Sequence, residues 1–144
     1  MNHRLLLDAE ELEALREVSA RAQRKPVVLL ADDDRATLVR VRGLIEGANL
    51  RCLTARSAQE ALRRIRRDEA GIDLLVSGLR VERDGTGLDL LRELGNVGTF
   101  LPIIVLSGQG DRRDIYATTA LNVLDFLAKP VESVDFLNLL KRYL

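Results

Sequence analysis

Three acidic residues stand together at Asp32, Asp33 and Asp34, a hydroxyl follows a buried run at Ser107, and a lysine follows another at Lys129, directly before Pro130. Two adjacent carboxylates suit a hard, oxygen-seeking cation such as Mg²⁺, which keeps several waters and takes few protein ligands. A lysine and a hydroxyl opposite them would balance a phosphoryl oxygen. Each residue also has a plainer reading. Asp34 is expected to cap the next helix, Ser107 to be a turn hydroxyl, and Lys129 to be a surface ammonium. Adjacent like charges at 32 and 33 need a reason to converge, however, and a lysine set between a buried run and a proline is not ordinary surface. A further position is marked by what it lacks. The stretch "GIDLLVSGLR" carries an apolar run to Ser77 and Gly78 and ends without a reactive side chain.

The elements that would position these residues alternate along the chain. "VVLLA" (27–31), "IDLLV" (72–76), "PIIVLS" (102–107) and "VLDFLA" (123–128) are short apolar runs of the kind found in parallel strands covered on both faces. A weaker strand, "LRCLTA", lies between the first two. Helical patterns separate them: Leu38, Val41 and Ile45 on one face ending at Gly47, then "SAQEALRRIRR" with a Ser57/Glu60 capping box. Two more lie around "GLDLLREL" and "DRRDIYATTAL", and "SVDFLNLLKRYL" closes the chain. Five strands alternating with five helices predict right-handed crossovers and a doubly wound α/β sheet. In such a sheet functional groups gather at the carboxyl ends of the strands. Asp32, Asp33, Gly78, Ser107 and Lys129 all fall there.

Residues 1–25 stand outside the alternation, leaving 26–144 as the main domain. Asp8 and Glu11 make an N-terminal helix start, Leu7 and Leu12 a hydrophobic staple, and Leu12, Leu15 and Val18 one apolar face ending before Pro26. This extra helix either folds back on its own domain, pairs with a second copy as a homodimer, or links to another module. With 22 basic and 22 acidic residues the net charge is zero, so no global field draws the chain to nucleic acid or anionic lipid. The run Arg63, Arg64, Arg66 and Arg67 reads as a solvated helix face. The single Cys52 excludes an intramolecular disulfide and fits a reducing compartment. No apolar stretch reaches the length of a membrane span, and a cytoplasmic location is expected.

From Lys25 to Leu144 the chain resembles a response-regulator receiver domain. The resemblance rests on the aspartate pair in "VVLLADDD", on Ser107 in "PIIVLSG", on Lys129 and Pro130, on Phe126 three residues before that lysine, and on the "DGTGLDLL" loop. It implies a flavodoxin-like fold with strand order 2-1-3-4-5. It implies Asp32 and Asp33 as an acidic metal pocket, Ser107 and Lys129 as phosphoryl contacts, and Phe126 as a switch aromatic. It implies a histidine kinase or downstream effector as protein partner, met on the face of the fourth helix of the alternation, the fifth strand and the fifth helix, with Tyr116, Leu121, Asp125, Asp135 and Arg142 on that surface.

The family's phosphoacceptor aspartate ends the third strand, and gap-free alignment of "DLLVSGLRV" puts that position at Gly78, 45 positions after Asp33 and 29 before Ser107. Glycine supplies neither nucleophile nor metal ligand. Ser77 is expected to point to the opposite face, Asp73 lies at the far strand end, and Asp84 reads as a loop residue. Val81 and Glu82 replace a usual Met-Pro pair. Leaving glycine at 78 is expected to cost the backbone little. The expectation is thus a receiver-like, non-enzymatic signalling module that interacts with proteins, binds Mg²⁺ weakly, and pairs Lys129 with Asp32 or Asp33. Three alternatives are an ordinary phosphorylatable receiver in which Gly78 is an engineered or incidental change, an α/β phosphatase or hydrolase with Asp32 as nucleophile, and nucleic-acid binding through Arg63, Arg64, Arg66 and Arg67. The second lacks an evident base, since the only histidine, His3, sits in the tail.

Overall fold

A computed structural model describes residues 8–78, 89–108 and 121–144. Its elements are α1 (Ala9–Gln23), β1 (Val27–Ala31), α2 (Arg35–Gly47), β2 (Arg51–Ala55), α3 (Ala58–Asp68), β3 (Leu74–Gly78), α4 (Leu90–Val97), β4 (Pro102–Ser107), β5 (Asn122–Ala128) and α5 (Ser133–Tyr143), with a short 3₁₀ turn at Glu69–Gly71. The strands form one parallel sheet in the order β2-β1-β3-β4-β5, the flavodoxin-like order that the sequence resemblance implies. His3, Leu7, Asp84, Tyr116 and the helix expected at "DRRDIYATTAL" lie outside the described residues.

Two apolar layers hold the helices to the sheet. On one face Leu29, Ala31, Leu75, Ile103 and Val105 pack with α3 and α4 through Leu62, Ile65, Leu91 and Leu94. On the other Val28, Leu30, Val76 and Ile104 pack with α2 and α5 through Val41, Ile45, Phe136 and Leu140. Alternate residues of β1 thus serve opposite layers, as the two-residue period of a strand requires. That is why these strands read as continuous apolar runs.

Helix starts follow the sequence signals with one shift. Asp8 accepts from the Glu11 amide at 2.8 Å, and Ser57 accepts from the Glu60 amide at 3.1 Å. Glu60 reaches back to the amide of Arg56 rather than of Ser57, so the capping box closes one residue early. β3 also departs from expectation: it spans Leu74–Gly78, two residues later than the apolar run suggests. Asp73 accepts from the Val27 amide at 2.7 Å and so seals the strand's entrance, while Ser77 and Gly78 continue the ladder opposite Ala31 and Leu106.

In β5 the register shifts, so that Leu124 and Asp125 together face Ile104. This bulge resets the alternation. It puts Val123 and Phe126, three residues apart, against the same layer, and Leu127 against the other.

Candidate functional site

Parallel register brings the expected residues to one edge. Ala31 is level with Ser77, so Asp32 stands beside Gly78; Gly78 is level with Leu106, and Ser107 with Ala128, so Ser107 and Lys129 follow on the next two strands. The Asp32 amide donates to the Ala55 carbonyl at 3.1 Å and the Lys129 amide to the Ser107 carbonyl at 2.9 Å. Both side chains are therefore fixed at their roots by the sheet's own ladder. Arg40 of α2 donates to the Val131 carbonyl at 2.7 Å and secures the segment after Pro130. Nothing in the sequence marks Arg40 for this role, because its only signal is a charge on a helix face.

Asp32 is fully buried. Its Oδ1 accepts the Asp34 amide at 2.9 Å, and the Lys129 Nζ lies 2.6 Å from its Oδ2, an ion pair rather than a well-aligned hydrogen bond. Burial pushes the Asp32 carboxyl above the usual carboxylate range, while the Lys129 ammonium and the Asp34 amide pull against that rise without cancelling it. Lys129 keeps about a fifth of its side chain exposed, at 21%. The lysine thus pairs with Asp32 and not with Asp33, which is half-buried. Asp34 is the N-cap of α2, accepting from the Ala36 amide at 3.3 Å and from the Thr37 hydroxyl at 2.6 Å. Those hydrogen bonds hold its carboxyl below the ordinary range.

Gly78 is buried in the sheet. A Cβ built there would lie 2.7 Å from Asp32 Oδ2 and 3.1 Å from its Cγ, inside the contact distance of about 3.5 Å for non-bonded heavy atoms. The Asp32 carboxylate therefore fills the space into which a side chain at 78 would project. Position 78 costs the backbone little to substitute, as expected, but its neighbour's side chain is in the way. Ser77, also buried, donates its hydroxyl to the Gly78 carbonyl at 2.8 Å, so it is occupied within the strand. Ser107 is buried at the end of β4. Phe126 is half-buried in β5 beside Val105.

These atoms do not form a ready Mg²⁺ site. One carboxylate is tied to a lysine, Gly78 offers only a carbonyl that already accepts a hydroxyl, and the described residues hold no cluster of three potential ligands. The edge is arranged to neutralise Asp32 with its own cation.

Comparison with known proteins gives the same fold and its family. A sequence model of the response regulator receiver domain matches residues 28–141. The transcriptional regulatory protein GlrR of Escherichia coli (strain K12) is 35% identical over 109 residues, 75% of this chain and 24% of that protein. The two-component response regulator PprB of Pseudomonas aeruginosa is 28% identical over 84% of this chain and 44% of its own length. The chain thus spans between about a quarter and a half of these relatives. A response regulator receiver protein from Pseudomonas putida superposes with a TM-score of 0.66 at 30% identity, covering 83% of this chain and 98% of that one. A family model that matches residues 28–141, relatives up to 35% identical and the shared strand order make this chain a member of the response-regulator receiver family.

Proposed function

We propose that this receiver works without aspartyl phosphorylation, as a protein-interaction module held in one state by its own ion pair. Receiver domains of response regulators are generally non-enzymatic signalling modules that meet histidine kinases and effector domains, and they typically bind Mg²⁺ at the phosphorylation site. Gly78 stands at the phosphoacceptor position, Asp32 and Asp33 form the acidic pocket, and Ser107, Phe126 and Lys129 take the switch and phosphoryl-contact positions. The observation that carries the reading is the 2.7 Å approach of a Gly78 Cβ to Asp32 Oδ2. The acceptor is missing, and the room it would need holds the Asp32–Lys129 pair. Mg²⁺ binding is weak, because a cation must displace Lys129 from Asp32 and finds no third carboxylate among the described residues.

With the input chemistry gone, the partner surface is constitutive. It comprises β5 and α5 with Leu121, Asp125, Asp135 and Arg142, together with the helix that the sequence predicts at "DRRDIYATTAL". Its population is set by packing, not by phosphate. Residues 1–25 are an extension to a receiver of residues 26–144, and the protein works in the cytoplasm. No helix among the described residues is long and apolar enough to cross a membrane. The test is incubation with a small-molecule phosphodonor and Mg²⁺ followed by intact mass measurement. An unchanged mass is expected. A stable gain of one phosphoryl group would return the chain to the ordinary phosphorylatable receivers and leave Gly78 an incidental feature.

A further inference from the structure

The first helix and the far side of α2 present complementary exposed surfaces. Every residue from Asp8 to Glu17 is exposed, and Leu12 and Leu15, which share a helix face at i, i+3 spacing, are 42% and 53% accessible. The same turns carry Glu10, Glu11, Glu13 and Glu17. α2 and α5 enclose an apolar groove of about 680 Å³ lined by Gly43, Leu44, Gly47, Val134 and Leu137, with Lys141 as its charged residue. It continues along α2 past Val39, between Arg35 and Arg40. Val39 and Val134 are 66% and 60% exposed there. The groove is apolar with a basic rim; the helix is apolar with acidic flanks.

Two glycines sharpen the match. Gly43 lies inside α2, where glycine weakens a helix. Yet a Cβ at Gly43 or at Gly47 would meet no atom of this chain within 4 Å. The fold's own packing does not require either glycine, and what they open is a channel in which another backbone can approach α2 closely.

We propose that α1 of one copy lies in the α2–α5 groove of a second copy, and reciprocally, so that the protein is a homodimer with exchanged N-terminal helices. Two residues, Arg24 and Lys25, join α1 to Pro26, which itself lines the groove. A proline biases the residue before it to extended backbone, which breaks the helix there, and α1, with Leu12 and Leu15 exposed, lines no part of its own groove among the described residues. A two-fold exchange satisfies both exposed faces with one set of contacts.

The full chain is expected to run as a dimer by light scattering, and Leu15→Asp to make it monomeric. Gly43→Gln is expected to break the dimer as well, while the folded monomer melts no lower than that of Leu15→Asp, since it closes the channel and improves α2. In a Cys52→Ala background, oxidising a mixture of Leu15→Cys and Val134→Cys chains should give a disulfide-linked heterodimer. A parent that is monomeric, or a dimer that survives both Leu15→Asp and Gly43→Gln, overturns the proposal. So does a Leu15→Cys/Val134→Cys double variant that closes only within one chain, which would place α1 in its own groove, or cross-linking of Leu15→Cys only to itself, which would place α1 against α1.

Discussion

Substituting Gly78 tests whether Asp32 is held where the site geometry puts it. An alanine adds one carbon 2.7 Å from Asp32 Oδ2 and 3.1 Å from Cγ. Asp32 has no exposed side to retreat to, and its two oxygens are engaged by Lys129 and the Asp34 amide. Forcing one extra carbon into a packed site costs about 1–3 kcal/mol, whereas replacing a strand glycine returns about 0.4–1 kcal/mol through the unfolded chain. The net expectation for Gly78→Ala is a loss of about 1–2 kcal/mol, or roughly 3–8 °C in Tm for a domain of this size. Gly78→Asp carries the same steric cost and adds a third carboxylate. Unit charges about 4 Å apart repel by about 4 kcal/mol at an effective dielectric of 20, and Lys129 can offset only part of this. Without Mg²⁺ the aspartate variant should therefore melt below the alanine variant, and with Mg²⁺ it should recover most of the difference and take up phosphoryl from a small donor. Denaturant or thermal unfolding of parent, Gly78→Ala and Gly78→Asp, with chelator and with Mg²⁺, reads all of this. An alanine variant as stable as the parent would show that Asp32 does not occupy that space, and an aspartate variant indifferent to Mg²⁺ would show that the remaining residues no longer assemble a phosphoacceptor site.

Other perturbations bear on the same edge and its supports. Because the folded Asp32 carboxyl titrates above its ordinary value, the folded state holds a proton that the unfolded state has lost, and stability falls as pH rises through that window. Lys129→Met removes the charge that opposes the rise, so it should cost about 3 kcal/mol at pH 8 and distinctly less at pH 5; equal losses by chemical denaturation at both would count against a buried, charged Asp32. The same variant should gain more stability from added Mg²⁺ than the parent does, because the cation no longer competes with an ammonium. Asp34→Ala should lower stability by about 1 kcal/mol through loss of the α2 cap. The parent's share of that cap fades as pH falls through the depressed folded value of Asp34, so the gap between the two should narrow in acid. Burial pushes the Cys52 thiol up to about 11, so alkylation at pH 8 should be slow in the native protein and rapid in denaturant.

The fold was legible because the central strands β1, β3 and β4 are buried on both faces and α2 to α5 on one, so apolar runs and helical spacing report directly on packing. β5 shows where that reading stops. "VLDFLA" passes for one uninterrupted strand, yet two of its residues oppose a single partner at Ile104. The signal was Asp125, a carboxylate where simple alternation would bury one; its Oδ1 accepts the Phe126 amide at 2.8 Å, and the bulge lets Phe126 share a layer with Val123. At the site, charge balance alone required that Lys129 find an acid. Choosing Asp32 over Asp33 needed the register, since only Asp32 stands beside Gly78 with no exposed surface.

What no sequence pattern carries is the use made of an absent side chain. Glycine at 78 offers no nucleophilic side chain, and that much is visible in one letter. That this volume holds a neighbour's carboxylate depends on the separation of β1 and β3 and on the Asp32 rotamer, which the Asp34 amide and the Lys129 ammonium engage. The consequence is physical coupling between two positions. With a side chain at 78 the present Asp32 rotamer is blocked, and with that rotamer in place any side chain at 78 is strained. Gly78 and the Asp32–Lys129 pair are in this sense one packing solution. Placing a carboxylate at 78 must therefore displace the Asp32 side chain from its pairing with Lys129.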